Sequence, residues 1–229
     1  QGAREVRQAT YAFFEMKRRI ERSIEQRTAM LNGVSHDLRT ILTRFKLSLA
    51  LLDDGPEKDE LLRDVEEMQR MLEAYLAFAR GDAGEAATPT DIGALLEELK
   101  ADAERHGHAT EIRIAGEPVV TVRTDAFKRC LFNLVSNAQR YGDRIEIEAM
   151  RDQRFLTVNI DDDGPGIPPE KREEVFRPFF RLDEARNQDE GGTGLGLAIA
   201  RDIARSHGGD IILGQSPMGG LRASVRVPV

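Results

Sequence analysis

Asp161-Asp162-Asp163-Gly164-Pro165-Gly166-Ile167 decides how the second half of this chain is read. It closes an alternating run, Leu156–Asp161, and so reads as an acidic strand end opening into a tight turn. A carboxylate at that point can accept a hydrogen bond from the amino group of an adenine. The glycines let a flat base approach the backbone. Alone, Asp-Gly-Pro-Gly is most often only a turn.

Two further clusters flank it. Upstream lies Asn133-Leu134-Val135-Ser136-Asn137-Ala138-Gln139-Arg140-Tyr141. Asn133 and Asn137 are four apart, so on a helix both amides share one side. Amide oxygens suit a hard Mg²⁺ ion without adding charge that would repel phosphate. Downstream lies Gly191-Gly192-Thr193-Gly194-Leu195-Gly196-Leu197, running into a helix from about Leu195 to Ser206. Backbone N–H groups at such a helix start cradle phosphates. The loop is neither a Gly-Lys-Ser/Thr phosphate loop nor a dinucleotide loop after a strand.

Around these clusters the period predicts a helix from an Asp91 cap to about Arg105 and strands at Glu111–Ile114 and Val119–Val122. A helix over Asp125–Tyr141 and strands at Ile145–Ala149, Asp210–Gly214 and Arg222–Val227 complete the set. Helices and strands without strict βαβ alternation predict an α/β sandwich.

The first third has a different period. From about Glu5 to Leu52 there is no proline, and apolar residues recur every seven: Val6, Phe13, Ile20, then Ile24, Leu31, Leu38, Phe45, Leu52. The step of four from Ile20 to Ile24 is a stutter between two coiled segments of one long helix. Asp53-Asp54-Gly55-Pro56 breaks it. A second helix to about Arg80 carries Leu61, Val65, Met68, Leu72, Leu76 and Ala79 on its apolar face. Two such helices cannot bury a core alone. Dimerising into an antiparallel four-helix bundle completes one.

With Leu38, Phe45 and Leu52 at the d positions, His36 falls at b and Thr40 at f, both pointing off the seam. Asp37 stands beside the histidine. An exposed imidazole attacks phosphorus when a carboxylate orients it and takes its ring proton. A lone His-Asp pair on a helix is ordinarily surface decoration. His106, His108 and His207, near predicted helix ends, are read as structural.

The net charge of −7 does not indicate a nucleic-acid-binding surface, and the basic cluster Lys17-Arg18-Arg19 reads as a solvated helix face. One cysteine, Cys130, excludes an internal disulfide and a cysteine-rich zinc site. No apolar run of membrane-spanning length occurs.

Gly33-Val34-Ser35-His36-Asp37-Leu38-Arg39-Thr40 resembles the H box of sensor histidine kinases of two-component systems, most closely the EnvZ-like branch. The three clusters of the second half look like the N, G1 and G2 boxes of the ATPase fold shared by histidine kinases, DNA gyrase and heat-shock chaperones. Phe176-Arg177-Pro178-Phe179-Phe180-Arg181 resembles the F box of the kinases. The resemblance implies a dimeric antiparallel four-helix bundle followed by a GHKL-type α/β sandwich. It divides the chain into a HAMP-like linker helix (1–27), a dimerisation and phosphotransfer hairpin (28–80), a linker (81–90) and a catalytic ATP-binding domain (91–229).

Carried over residue by residue, the resemblance implies His36 as phosphoacceptor, Asp37 as general base, and Thr40 as the residue positioning water for phosphatase action. It implies ATP and Mg²⁺, with Asn137 as metal ligand and Asp163 as adenine reader beside Gly164, Gly166 and Ile167. Asn133, Arg140 and Tyr141 would approach phosphate or sugar. Gly192, Thr193, Gly194, Leu195, Gly196 and Leu197 would lie against the phosphates, and Arg181–Gln188 would form a lid. Implied partners are a second copy of the chain and the receiver domain of a response regulator, whose aspartate takes the phosphoryl group, but no nucleic acid directly. The chain is expected to be the cytoplasmic part of a protein anchored upstream in a bacterial inner membrane. One position departs from the pattern: Ile41 stands where the family usually has proline after the threonine. Two other readings stand beside this one, a nucleotide-binding signalling scaffold without chemistry and a gyrase-like ATPase.

Overall fold

The computed structural model describes residues 2–51, 55–80, 85–182 and 193–229. Within α1 and α2 it does not extend to many side chains, those of Ser35 and His36 included. The chain divides into two compact units, Gln1–Arg80 and Gly81–Val229.

The first unit is a helical hairpin of α1 (Gly2–Ala50) and α2 (Pro56–Arg80). α1 runs unbroken through Ile41, because isoleucine keeps the backbone N–H that proline lacks. The stutter at Ile20–Ile24 falls on side chains outside the described set. Ion pairs Lys46–Glu66 (3.4 Å) and Arg39–Glu73 (4.0 Å) set the helices antiparallel, and both are exposed enough to add little stability. Leu42, Val65 and Leu76 are buried between the helices. Val34, Leu38, Ile41 and Phe45 on α1, and Leu61, Met68, Met71 and Tyr75 on α2, remain open, Phe45 being 54% exposed. The hairpin thus fills one seam and leaves a second apolar stripe uncovered.

The second unit is a two-layer sandwich. Its strands are β1 (Thr88–Asp91), β2 (Ala109–Ala115), β3 (Val119–Val122), β4 (Arg144–Arg151), β5 (Phe155–Asp162), β6 (Asp210–Gln215) and β7 (Leu221–Pro228). Its helices are α3 (Ile92–Arg105), α4 (Thr124–Tyr141) and α5 (Gly196–Ser206). Among the described residues one sheet has the order β2-β4-β5-β7-β6, with only the β2–β4 pair parallel. β1 and β3 form a separate antiparallel pair.

Alternation builds the core. Ile145, Ile147 and Ala149, then Leu156, Val158 and Ile160, and Leu221, Ala223, Val225 and Val227 all point inward and are buried. The helices answer with stripes at helical spacing. On α4 these are Ala126, Phe127, Cys130, Leu131, Leu134, Val135 and Ala138. The other sheet face is polar and internally bonded: Arg222 forks onto Asp161 (2.7 and 2.8 Å), and Ser224 donates to Asn159 (2.7 Å).

The expected linker 81–90 is shorter than its composition suggests. Residues 81–84 lie outside the described residues, but Glu85 to Asp91 belong to the sandwich. Glu85 accepts hydrogen bonds from the backbone N–H of Asp125 (2.7 Å) and Ala126 (3.1 Å), capping α4, whose own N-cap residue Arg123 supplies no side-chain bond. Thr88–Asp91 pairs along β3, and Thr90 is buried with its hydroxyl 2.6 Å from that of Thr124. Small residues here satisfy close pairing rather than flexibility. The Asp91 cap of α3 is present, its Oδ1 accepting from Ala94 N at 3.2 Å.

Candidate nucleotide and phosphoacceptor sites

Asn133 and Asn137 sit half-buried on α4. The side-chain Nδ2 of Asn133 is buried and has no hydrogen-bond partner among the described residues. Such an amide costs stability unless something fills the bond, which points to a ligand. A Cβ on Gly196 would lie 3.7 Å from Asn133 Oδ1, so α5 begins directly beside this amide. Leu195, the N-cap of α5, offers no side-chain acceptor to the first turn, leaving its N–H groups for an anion. Thr193 Oγ1 accepts from Leu195 N at 3.3 Å. Gly194 has φ +66°, and its carbonyl accepts from Phe179 N at 3.0 Å. Leu195 is fully buried, while Gly196 and Leu197 open the helix half-buried. Gly191, Gly192 and most of the expected lid lie outside the described residues.

The acidic turn is where the structure departs from the sequence reading. β5 continues one residue further than expected, to Asp162. Inward alternation at Leu156, Val158 and Ile160 therefore carries Asp162 inward, where it is 2% exposed. Its Oδ1 accepts from Gly164 N (2.9 Å) and Leu221 N (3.0 Å), and Oδ2 has no partner among the described residues. Burial pushes its carboxyl above the usual range; the Leu221 and Gly164 N–H bonds oppose this, and neighbouring Asp163 and Asp161 add to it. Asp163, the expected adenine reader, points the other way. It is exposed, and its Oδ1 accepts from Asp143 N (2.8 Å) and Arg144 N (3.0 Å). The Arg144 bond first, then that from Asp143, holds its carboxyl below the usual range.

Close approach around Asp162 requires glycine. A Cβ on Gly164 would strike the carbonyl oxygen of Tyr141 at the end of α4, and one on Gly220 would strike Asp162 Oδ1. Gly166 has φ +71° and faces the Gly220 carbonyl. Ile167 is half-buried, its carbonyl accepting from Arg172 Nε at 3.1 Å. Arg140 and Tyr141 are exposed at the C-terminal end of α4. The α4 amides, the acidic turn and the start of α5 thus belong to one unit and join through Gly164–Tyr141 and Asn133–Gly196. His36, Asp37 and Thr40 lie on α1 in the other unit, where Asp37 and Thr40 are exposed.

Residues 122–229 match the model of the histidine kinase-, DNA gyrase B-, and HSP90-like ATPases, and residues 26–84 match the His Kinase A (phospho-acceptor) domain. The sensor histidine kinase GtrS of Pseudomonas aeruginosa is 36% identical over 228 residues, 99% of this chain and 47% of that protein. The sensor histidine kinase CpxA of Escherichia coli is 34% identical over 240 residues, 100% of this chain and 52% of CpxA. The chain belongs to the histidine kinase family. It spans about half the length of these curated relatives. The solved ATP-binding domain of PrrB from Mycobacterium tuberculosis superposes with a TM-score of 0.53 at 26% identity, covering 62% of this chain and 97% of that one.

Within the family's ATPase domain, the residues present fit the nucleotide and ion that the resemblance implies. The orphaned Asn133 amide and the uncapped start of α5 suit phosphate. No cluster of three or more His, Cys, Asp or Glu capable of holding a metal occurs among the described residues. The Asn137 amide oxygen, with oxygens of the nucleotide, would suit a hard Mg²⁺ ion. No described helix is long and apolar enough to cross a membrane.

Sequence reasoning missed three contributors, Glu85 as cap of α4 and the Gly220 and Leu221 backbone behind Asp162, and it named Phe179 in the F box without its bond to Gly194. Phe179 holds φ 66°, a conformation a side chain rarely adopts. The Gly219-Gly220 pair was the available signal for the second and third. Nothing local marks Glu85.

Proposed function

We propose that this chain catalyses ATP-dependent phosphorylation of His36 and passes the phosphoryl group to an aspartate of a response-regulator receiver domain. The observation that carries this reading is a buried Asp162 turn in the same unit as the orphaned Asn133 amide and the uncapped start of α5, in a chain that also carries His36 and Asp37 on α1. Asp162 Oδ2 accepts the exocyclic amine of adenine, in place of Asp163. Asn137 holds Mg²⁺, which when bound offsets phosphate charge. Asn133 and the α5 N–H groups hold phosphate oxygens, and Arg140 and Tyr141 flank them.

A nitrogen of His36 attacks the γ-phosphorus. The bond from that phosphorus to the bridging oxygen breaks, ADP leaves with the electron pair, and Asp37 takes the ring proton. Thr40, one turn along, positions water for removing the phosphoryl group from the regulator. A second copy of the chain covers the open stripe of Leu38, Phe45, Leu61 and Met68, forming a four-helix bundle. Residues 1–27 act as the second helix of a HAMP linker, and the whole protein is anchored in the bacterial inner membrane upstream of this chain.

The test is incubation with γ-labelled ATP. The unaltered chain should form acid-labile phosphoprotein, and His36→Ala should form none while still binding ATP. Label persisting in His36→Ala would refute the acceptor. ATP binding without any phosphoprotein would favour the scaffold reading, and steady hydrolysis without phosphoprotein the gyrase-like one.

A further inference from the structure

The corner between α4 and β4 is fastened from outside itself. α4 ends with Gly142 N donating to the Ala138 carbonyl (2.8 Å), and β4 starts at Arg144. The Gly142 carbonyl lies 3.1 Å from His108 Nδ1. Asp143 N and Arg144 N, at the entrance to β4, both go to one oxygen of Asp163. Asp163 is the residue after Asp162, and the turn it opens touches Tyr141 through Gly164.

We propose that Asp163 is a positioning residue, whose carboxylate binds the corner after α4 to the turn after β5 and so sets the amides of α4 opposite the base-reading Asp162. The inference rests on the nucleotide-site reading above. Asn133 and Asn137 come from one element and Asp162 from another, and a nucleotide needs both at a fixed separation. The β4–β5 ladder aligns Ile145 with Asp162, but it ends there. Asp163 extends the connection past the ladder to the two residues that lead back to α4. Because Asp163 is exposed, water can replace it for the two N–H groups. Losing it therefore loosens geometry more than it unfolds the domain. The bonds need an acceptor oxygen rather than a charge, so asparagine substitutes.

The experiment compares Asp163→Ala, Asp163→Asn, Gly142→Ala and Asp162→Asn in the whole chain. The readouts are calorimetric binding of Mg-ATP and Mg-GTP, the ATP dependence of phosphoprotein formation, and the urea midpoint. Asp163→Ala should weaken ATP binding and raise KM by about tenfold, with kcat and the urea midpoint nearly unchanged. Gly142→Ala places a Cβ 2.8 Å from Asp163 Oδ1, but also 3.0 Å from Asp162 Cβ and 3.2 Å from Asp163 N, so it should weaken ATP binding at least as much as Asp163→Ala. Asp163→Asn should bind ATP within about twofold of the unaltered chain. Asp162→Asn should lose the preference for ATP over GTP.

Unchanged affinity in Asp163→Ala would overturn the proposal, as would a fall in urea midpoint matching its rise in KM. Loss of adenine preference in Asp163→Asn with retention in Asp162→Asn would make Asp163 the reader and also overturn it. An unaltered chain that binds no ATP would overturn instead the nucleotide-site reading on which it rests.

Discussion

α2 and α4 carry apolar residues at the same helical spacing and meet different fates. α4, with 18 residues, buries seven side chains, Phe127 and Leu131 completely. α2, with 25 residues, buries Val65 and Leu76 among its described side chains and leaves Leu61, Met68, Met71 and Tyr75 open, Ala79 lying outside that set. The difference is in the neighbours. α4 packs against α3, α5, β4 and β5, whereas the hairpin unit offers α2 only α1. One unit completes its core from its own chain; the other leaves apolar side chains open.

The sharpest way to break that contrast is a core truncation in the self-sufficient unit. Phe127→Ala should cost the sandwich about 3–5 kcal/mol and lower its denaturation midpoint, with self-association unchanged. A dissociated chain would mean the two units do not hold separate cores. The reverse change is Phe45→Asp, on the open stripe. It should cost association about 1.5–3 kcal/mol per chain by sedimentation equilibrium, leaving the sandwich's midpoint in place. Equal association would show that a second copy does not cover this face.

Glu85→Ala asks how far the sandwich depends on residues that read as linker. It should lower the sandwich's unfolding free energy by about 1 kcal/mol through loss of the α4 cap, and its midpoint with it. No change would place Glu85 outside the folded unit.

The smallest effect concerns acid. Burial alone would raise the Asp210 carboxyl, but the guanidiniums of Arg201 and Arg205 outweigh it and hold it at about 2. The folded value lies below the unfolded one. The stabilisation is therefore present above about pH 4 and lost as pH falls toward 2. With the side chain 42% exposed, solvent screening limits it to roughly 1 kcal/mol or less. Asp210→Asn should flatten that limb of the sandwich's acid titration without moving the hairpin's. An unchanged limb would assign acid sensitivity elsewhere.

Much of the architecture was legible because period is local. The two periods, near 3.6 in Asp125–Tyr141 and 2 in Leu156–Asp161, predict a helix and a strand where α4 and β5 occur. Asn133 and Asn137 share one helix, as their spacing requires. Asp162 and Asp163 were harder to tell apart, since three consecutive aspartates look alike to composition. Their difference lies in one more step of strand alternation, which sends Asp162 among buried residues and Asp163 to solvent.

By itself the sequence determined the elements, the helical seam with a surplus apolar stripe, and the three motif clusters, because each depends on residues within a few positions of one another. Only the tertiary structure decided which partner each element takes. Glu85 reaches a helix 40 residues away to cap Asp125, Leu221 closes behind Asp162 across 59, and Asp163 fastens a corner 20 residues before it. Backbone N–H groups that no helix or ladder partner satisfies take an acceptor the fold brings within about 3 Å, and chain distance does not enter that requirement.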